Sequence, residues 1–179
     1  MTAPTDTELL AAIGTGDKAA MRVLYDRYQT VLYRFIRTRL RDPHEAADAL
    51  QDVMLDVWRQ AAAQQGRGSA RGWLFAIARN KAIDRLRRTG RDVPTEPDET
   101  IPDESMNPEE VTAASQSAAM VRQCLDTLSA AHRLVLHLAF FQELTYPEIA
   151  ELEDLAVGTV KTRVHHAKRL MARCLGGPA

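Results

Sequence analysis

The segment GWLFAIARNKAIDRLRR, residues 72–88, decides the fold class because its apolar residues recur at three- and four-residue spacing. At about 100° per residue, as in an α-helix, one sector collects these apolar side chains: Phe75, Ala78, Ala82, Ile83 and Leu86. That sector is the expected buried side of an amphipathic helix. The same spacing recurs along the chain, and glycine-centred hairpin signals are missing, so we expect an all-α fold.

A second sector of this helix combines aromatic, aliphatic, amide and charged side chains. Its members are Trp73, Ile77, Asn80, Asp84, Arg87 and Arg88, with Lys81 and Arg85 at its edge. Cations neutralise phosphates, an amide can hydrogen-bond a base edge, and an aromatic ring can stack on an unpaired base. This combination favours single-stranded or opened DNA. The alternative is that Trp73 and Ile77 pack under a neighbouring helix while the arginines are only solvated.

The segment DPHEAADALQDVMLDVWRQAAA, residues 42–63, predicts another helix with a clear start. Asp42 is the expected N-cap, Pro43 suits the first helical position, and Glu45 completes a capping box. One stripe is expected to be core: Ala46, Leu50, Val53, Met54, Val57 and Trp58.

The other side of that helix places an apolar residue among polar ones. Gln51, Asp52, Leu55 and Arg59 share a face away from the core stripe, close to the acids Asp48 and Asp56. An exposed leucine on an acidic amphipathic helix is typical of a docking surface, although a single exposed leucine is also common without any role. Both interpretations stay open on spacing alone.

Charge is sorted along the chain, although the formal net charge is only −1. Residues 67–91 contain eight Lys/Arg and one acid, whereas residues 92–110 contain eight acids, four prolines and no base. Proline disfavours helix interiors and like charges repel, so residues 92–110 are predicted to be a flexible linker, with an ordered surface loop as the alternative. We therefore expect two small helical domains, residues 1–91 and 111–179.

The segment LTYPEIAELEDLAVGTVKTRVHHAKRLMARCL, residues 144–175, predicts a short helix, a tight turn and a longer helix. Thr145 and Glu148 fit a capping box, and Asp154 suits a left-handed turn position. The expected buried stripe of the second helix is Val160, Val164, Ala167, Met171 and Cys174, with Lys161, Thr162, His165, His166 and Arg169 opposite. This is the helix-turn-helix pattern, which places its second helix in a duplex major groove; an ordinary helical hairpin is the alternative.

The chain offers no sign of a secreted or membrane protein. It has two cysteines, Cys124 and Cys174, which imply no disulfide framework and fit a reducing cytoplasm. Its first residues lack a basic stretch followed by an apolar run, and no apolar run reaches about 18 residues. We expect a cytoplasmic protein without direct membrane insertion.

Three of these segments together resemble the extracytoplasmic-function (group IV) sigma factors of bacterial RNA polymerase, in the sigma-70 family. DALQDVMLDVWRQ is similar to the helix with which that family binds core polymerase, and ARGWLFAIARNKAIDRLRR to its promoter-melting, minus-ten-reading segment. LTYPEIAELEDLAVGTVKTRVHHAKRL is similar to its minus-thirty-five-reading helix-turn-helix. The resemblance implies a promoter-specificity subunit rather than an enzyme, without a cofactor or metal and with a cognate anti-sigma factor as partner.

The resemblance also implies roles for individual residues. Core polymerase would be bound by Asp48, Gln51, Asp52, Leu55 and Trp58. The opened non-template strand at the minus-ten element would be met by Trp73, Ile77, Asn80, Lys81, Asp84, Arg85, Arg87 and Arg88. The upstream duplex at the minus-thirty-five element would be met by Thr159, Lys161, Thr162, Arg163, His165, His166 and Arg169.

Two other classes of protein share some of these features. A dimeric helix-turn-helix repressor would bind a symmetric duplex site without polymerase, but it leaves the Leu55 helix and the mixed Trp73–Asn80 face unexplained. A metalloenzyme or metal sensor would have to use the scattered cysteines and histidines Cys124, His132, His137, His165, His166 and Cys174. Their spacing matches no common metal motif.

Overall fold

The computed structural model describes residues 3–64, 68–90 and 113–176, with the backbone alone in 113–118. Within these ranges the chain is helical and contains no strand, which confirms the all-α prediction. It divides into two compact units, Met1–Thr95 and Glu96–Ala179. The predicted linker, residues 92–110, lies outside the described residues.

The described residues of the N-terminal unit form four helices: α1 (Asp6–Gly14), α2 (Lys18–Arg37), α3 (Pro43–Gln64) and α4 (Ala70–Arg88). Helix α3 packs against the other three, and α4 also packs against α1 and α2. The rings of Phe35 and Phe75 meet edge to face, with centroids 5.0 Å apart, in the core between α2 and α4. All five residues that the sequence placed on the buried side of α4 are buried.

Short polar contacts define where α3 and α4 begin. The Asp42 carboxylate accepts hydrogen bonds from the backbone N–H groups of His44 at 2.7 Å and Glu45 at 3.2 Å. This confirms Asp42 as the cap and Pro43 as the first residue of α3. The Ser69 hydroxyl accepts from the backbone N–H of Gly72 at 3.1 Å and caps α4 in the same way.

A polar contact between Asp6, Tyr28 and Arg71 joins the start of α1 and the middle of α2 to the start of α4. The Tyr28 hydroxyl donates to the Asp6 carboxylate and accepts from Nε of Arg71 at 3.0 Å. Burial, reinforced by the hydrogen bond to Asp6, raises the pKa of Tyr28 to about 12. The hydroxyl therefore stays protonated at neutral pH and keeps this donor.

The C-terminal unit contains α5 (Ala113–Asp126), α6 (Ala130–Leu136), a π-helical turn (His137–Phe141), α7 (Tyr146–Glu153) and α8 (Val157–Cys174). The predicted capping box is present, because the Thr145 hydroxyl accepts from the Glu148 N–H while the Glu148 carboxylate accepts from the Thr145 N–H at 2.8 Å. Asp154 ends α7 in the left-handed conformation, with φ 56° and ψ 48°. The helix–turn–helix geometry between α7 and α8 is thus set by local signals.

The prediction that the two cysteines imply no disulfide is wrong. Cys124, near the end of α5, is bonded to Cys174, the last residue of α8, with their Cα atoms 5.6 Å apart. Val160, Val164 and Ala167 do form the buried stripe of α8, but Cys174 is exposed and does not continue it. Helical periodicity assigned Cys174 to the core because it indicates only the side of the helix on which a residue lies, and not whether another helix covers that side.

Replacing Cys174 by serine is expected to destabilise the C-terminal unit. The bond closes a loop with a sequence separation of 50 residues, and the loss of such a loop constraint corresponds to about 4 kcal/mol in a chain-entropy estimate. Thermal unfolding of the Cys174→Ser variant should show a lower midpoint than the oxidised wild type. Dithiothreitol should lower the wild-type midpoint to the same value and leave the variant unchanged; equal midpoints for oxidised wild type and variant would contradict the bond's contribution.

Candidate functional site

The outer face of α3 exposes an apolar side chain between polar ones, as the sequence indicated. Leu55 is 51% exposed, and Gln51 beside it is exposed as well. Trp58, expected both in the core stripe and in the docking set, is half-buried. The rest of the predicted stripe is buried. Helix α3 therefore shows an uncovered leucine on a helix whose opposite side is firmly anchored.

Three acids along α3 pair with two cations along α4. Lys81 Nζ lies 2.6 Å from Asp56, and Arg85 lies 2.7 Å from Asp52 and 3.7 Å from Asp48. We call these five residues the α3–α4 ladder. The acids recur every four residues and so form one line along α3, and the two cations have the same spacing on α4.

The ladder joins residues that the sequence assigned to two different sites. Asp48 and Asp52 were expected to contact polymerase, and Lys81 and Arg85 to contact DNA, yet here they contact each other. The cationic side chains are only 29% and 24% exposed. The ladder therefore holds the two candidate surfaces in a fixed relation within the N-terminal unit.

The rest of the α4 face that was predicted to bind DNA is accessible to solvent, except for Ile77. Asn80, Asp84, Arg87 and Arg88 are exposed, and Trp73 is half-buried, so these residues line one side of the helix. Ile77 is buried at 9% exposure, so its assignment to a non-core face is wrong. Three helices pack around α4, and the buried arc is therefore wider than the single stripe that an amphipathic pattern predicts.

The outer face of α8 carries most of the residues predicted to meet duplex DNA. Five are exposed: Lys161, Thr162, His165, His166 and Arg169. Thr159 and Arg163 are half-buried at the sides of the helix. The Thr162 hydroxyl donates to the carbonyl of Gly158 at 2.9 Å, so its oxygen faces outward mainly as an acceptor. Nδ1 of His166 lies 3.3 Å from Nε2 of His132 on α6.

One apolar surface was missed by the sequence analysis. Phe140 and Phe141 are 51% and 62% exposed at the π-helical turn. They border a groove of about 260 Å³, which is also lined by Val121, Leu125, Leu136, Lys168 and Met171. Nζ of Lys168 lies 4.5 Å from the centre of the Phe140 ring, a cation–π contact. The sequence did contain a signal for this surface. Two consecutive phenylalanines stand just before Gln142 and the capping box of α7, at the end of one helix, where two adjacent rings cannot both face the core.

Of the residues described, none form a helix that is both long and apolar enough to cross a bilayer. In the same part of the chain, no three His, Cys, Asp or Glu side chains converge in a way that would hold a metal ion.

Breaking the α3–α4 ladder is expected to lower the free energy of unfolding, because Arg85 forms ion pairs with both Asp48 and Asp52. Because its partner Asp52 is 43% exposed, we expect a coupling of about 0.5–1 kcal/mol between Arg85→Ala and Asp52→Ala in a double-mutant cycle. Urea unfolding measures it, and 1 M salt should reduce it. The matched control is Arg22 with Asp26 on α2, a pair 80% and 56% exposed, whose coupling should be smaller. Equal couplings would show that the ladder is only a surface contact.

Two family models match the chain. Sigma-70 region 2 matches residues 24–92, which include α3 and α4, and Sigma-70, region 4 matches residues 118–171, which include α7 and most of α8. The models thus fall separately on the two compact units.

Relatives and solved structures agree with the models. The chain is 33% identical to the ECF RNA polymerase sigma factor SigL of Mycobacterium tuberculosis, covering 90% of this chain and 92% of the relative. It is 34% identical to SigM of the same organism, covering 96% and 85%. It is 31% identical to SigK of Mycolicibacterium vanbaalenii, covering 94% and 88%.

The fold is similar to that of CnrH, solved in complex with the cytosolic domain of CnrY, at a TM-score of 0.55 and 24% identity over 96% of this chain and 97% of that one. It is also similar to the sigma factor RpoE of Bartonella quintana, solved with the anti-sigma factor NepR, at a TM-score of 0.55 and 22% identity over 87% and 96%. Both family models match, and the SigL and SigM relatives are 33% and 34% identical and covered over most of their length. The chain therefore belongs to the extracytoplasmic-function (ECF) sigma factors of RNA polymerase.

Proposed function

We propose that this sigma factor works in the bacterial cytoplasm with one surface for core polymerase and two for promoter DNA. Sigma factors are transcription initiation factors and not enzymes, so its task is to direct polymerase to particular promoters. Residues 1–91 would bind polymerase and open the minus-ten element, residues 111–179 would bind the minus-thirty-five element, and residues 92–110 would connect them. The charge sorting of the sequence supports this division.

The observation that carries the proposal is the exposure of Leu55. A leucine that is 51% exposed on an otherwise well-packed helix leaves about half of its surface outside the packing of its own unit. Together with Gln51 and the outer sides of Asp48, Asp52 and Trp58, it forms an apolar centre with a polar rim, which is the composition of a protein interface. Its proposed partner is the clamp-helix region of the largest polymerase subunit, following the family resemblance.

The polar face of α4 is proposed to bind the opened non-template strand. Trp73 supplies a ring for stacking, Asn80 supplies an amide for a base edge, and Arg87 and Arg88 supply charge for phosphates. Ile77 is left out of this set because it is buried. Lys81 and Arg85 are proposed to act mainly through the ladder, since both are paired with α3.

Helix α8 is proposed to bind the upstream duplex. Its cations lie at Lys161, Arg163, Lys168, Arg169 and Arg173, without an acid between residues 161 and 173. A helix with this charge and a preceding capped helix is suited to the major groove, where phosphate contacts position the protein and side chains such as His165 and His166 meet base edges. Thr159 and Thr162 would add hydroxyl contacts.

An anti-sigma factor is proposed to hold the protein inactive until an inducing stress releases it. The support comes from similar folds, because CnrH and the Bartonella RpoE were both solved in complex with a partner, and that of RpoE is an anti-sigma factor.

Leu55→Glu is expected to abolish stable binding to core polymerase. Truncation of an interface hot spot costs at least about 2 kcal/mol, and a buried unpaired carboxylate costs more, so with Leu55 at the centre of the interface the affinity should fall by roughly 30-fold or more. Co-elution with bacterial core polymerase on a sizing column measures this loss.

The matched control for Leu55→Glu is Val23→Glu. Val23 is another apolar residue exposed on the N-terminal unit, at 41%, but it lies on α2. This variant should co-elute like the wild type, and both variants should unfold at the wild-type temperature. A folded Leu55→Glu protein that still co-elutes would contradict the proposed docking face.

The double substitution Arg87→Ala/Arg88→Ala is expected to weaken binding of holoenzyme to opened promoter DNA. The slope of log affinity against log salt is negative, and each lost phosphate contact should make it less steep by about 0.7 to 1. The loss of affinity should therefore be largest at low salt. Titration of a fluorescent DNA with a single-stranded minus-ten region measures it. Arg22→Ala, at an exposed arginine on α2, should change neither affinity nor slope; an unchanged slope in the double variant would exclude these arginines as contacts.

A further inference from the structure

His132 lies outside the helix-turn-helix, on α6, yet it contacts the proposed recognition helix α8. Nε2 of His132 is 3.3 Å from Nδ1 of His166, and the two rings are inclined at 68° with centroids 5.0 Å apart. On its other side, Nδ1 of His132 is 2.8 Å from the hydroxyl of Ser129, the N-cap of α6. The three residues form a continuous hydrogen-bonded chain that ends on the outer face of α8.

This chain leaves one nitrogen of His166 to face outward. Nδ1 is engaged with His132, so Nε2 is the ring atom available to DNA. A neutral imidazole carries one donor and one acceptor, and the bond made by one nitrogen decides which role the other has. The partner of Nδ1 therefore determines whether Nε2 offers a proton or a lone pair.

Ser129 favours one direction of the chain. Its hydroxyl oxygen already accepts from the backbone N–H of His132 at 3.4 Å, so donating its proton to Nδ1 of the same residue uses both the donor and the acceptor capacity of the group. In that direction His132 carries its proton on Nε2 and donates to Nδ1 of His166. His166 in turn carries its proton on Nε2, and successive donors in one direction strengthen one another.

We propose that His132 is a positioning residue for promoter recognition, which fixes the ring and the tautomer of His166 so that an N–H donor faces the upstream duplex. In the major groove guanine presents two acceptors, N7 and O6, whereas adenine and thymine present one acceptor each and cytosine presents a donor. His166 should therefore favour guanine, which offers the most acceptors, and should disfavour cytosine at the base that it meets. This inference rests on the proposed function, in which α8 reads the upstream element.

The first test measures the ring nitrogens directly. Nitrogen-15 chemical shifts of His166 in the full chain at pH 8 distinguish the two neutral tautomers and would also reveal a doubly protonated ring. Wild type should carry the proton on Nε2, and His132→Gln should keep it there because an amide N–H can also donate to Nδ1. His132→Leu should give a mixture of tautomers. A wild-type proton on Nδ1, or the same tautomer in His132→Leu as in wild type, would overturn the proposal.

The second test measures base preference. Holoenzyme made with each variant selects from duplexes randomised in the upstream element. In His132→Leu, the preference for guanine should fall about five- to tenfold at one position, as expected for one misplaced hydrogen bond, with other positions unchanged. His132→Gln should retain the preference. An unchanged preference in His132→Leu, or a uniform loss at all positions, would overturn the proposal because neither is a positioning effect.

Two controls separate this inference from the proposed function and from simple destabilisation. His44→Leu makes the same substitution at an exposed histidine of α3 and should leave the upstream preference unchanged. If wild-type holoenzyme shows no upstream sequence preference at all, the proposed role of α8 fails. The nitrogen shifts would still decide whether His132 fixes His166.

Discussion

Helix α3 has to bury one side against three helices while its other side stays available, and the N-terminal unit is arranged around this constraint. The buried side consists of alanine, valine, leucine and one methionine side chain, which pack against α1, α2 and α4. The flank of α3 carries the acids that hold Lys81 and Arg85. Since the same helix anchors α4 and displays Leu55, any tilt of α3 would move the proposed polymerase contact and the proposed DNA contact together.

Local chemistry explains the parts of the fold that the sequence predicted well. The Asp42 cap, the Thr145–Glu148 capping box and the left-handed Asp154 all involve residues within a few positions of one another. Their geometry depends on short stretches of backbone, which a sequence displays directly. The buried stripes of α3 and the exposure of Leu55 follow from helical periodicity in the same way.

Features that need a second element of the fold could not be predicted. Ile77 is buried because three helices surround α4, and the pairing of Asp52 with Arg85 depends on how two helices lie against each other. The Cys124–Cys174 bond and the contact between His132 and His166 join residues 50 and 34 positions apart. Residue type and spacing contain no information on such distances. The resemblance to sigma factors supplied the functional class, but its residue roles did not anticipate that proposed polymerase and DNA residues bind each other.

The Cys124–Cys174 bond also determines what a protease releases when it cleaves the C-terminal unit. It joins the end of α5 to the end of α8, so α6, the π-helical turn, α7 and α8 lie within one covalent ring. A single cleavage by a protease at the exposed Phe140–Phe141 turn would open the ring without releasing a fragment. While the bond is oxidised, the two pieces of the cleaved chain stay joined through Cys124 and Cys174. The helix-turn-helix therefore remains covalently attached to the rest of the protein.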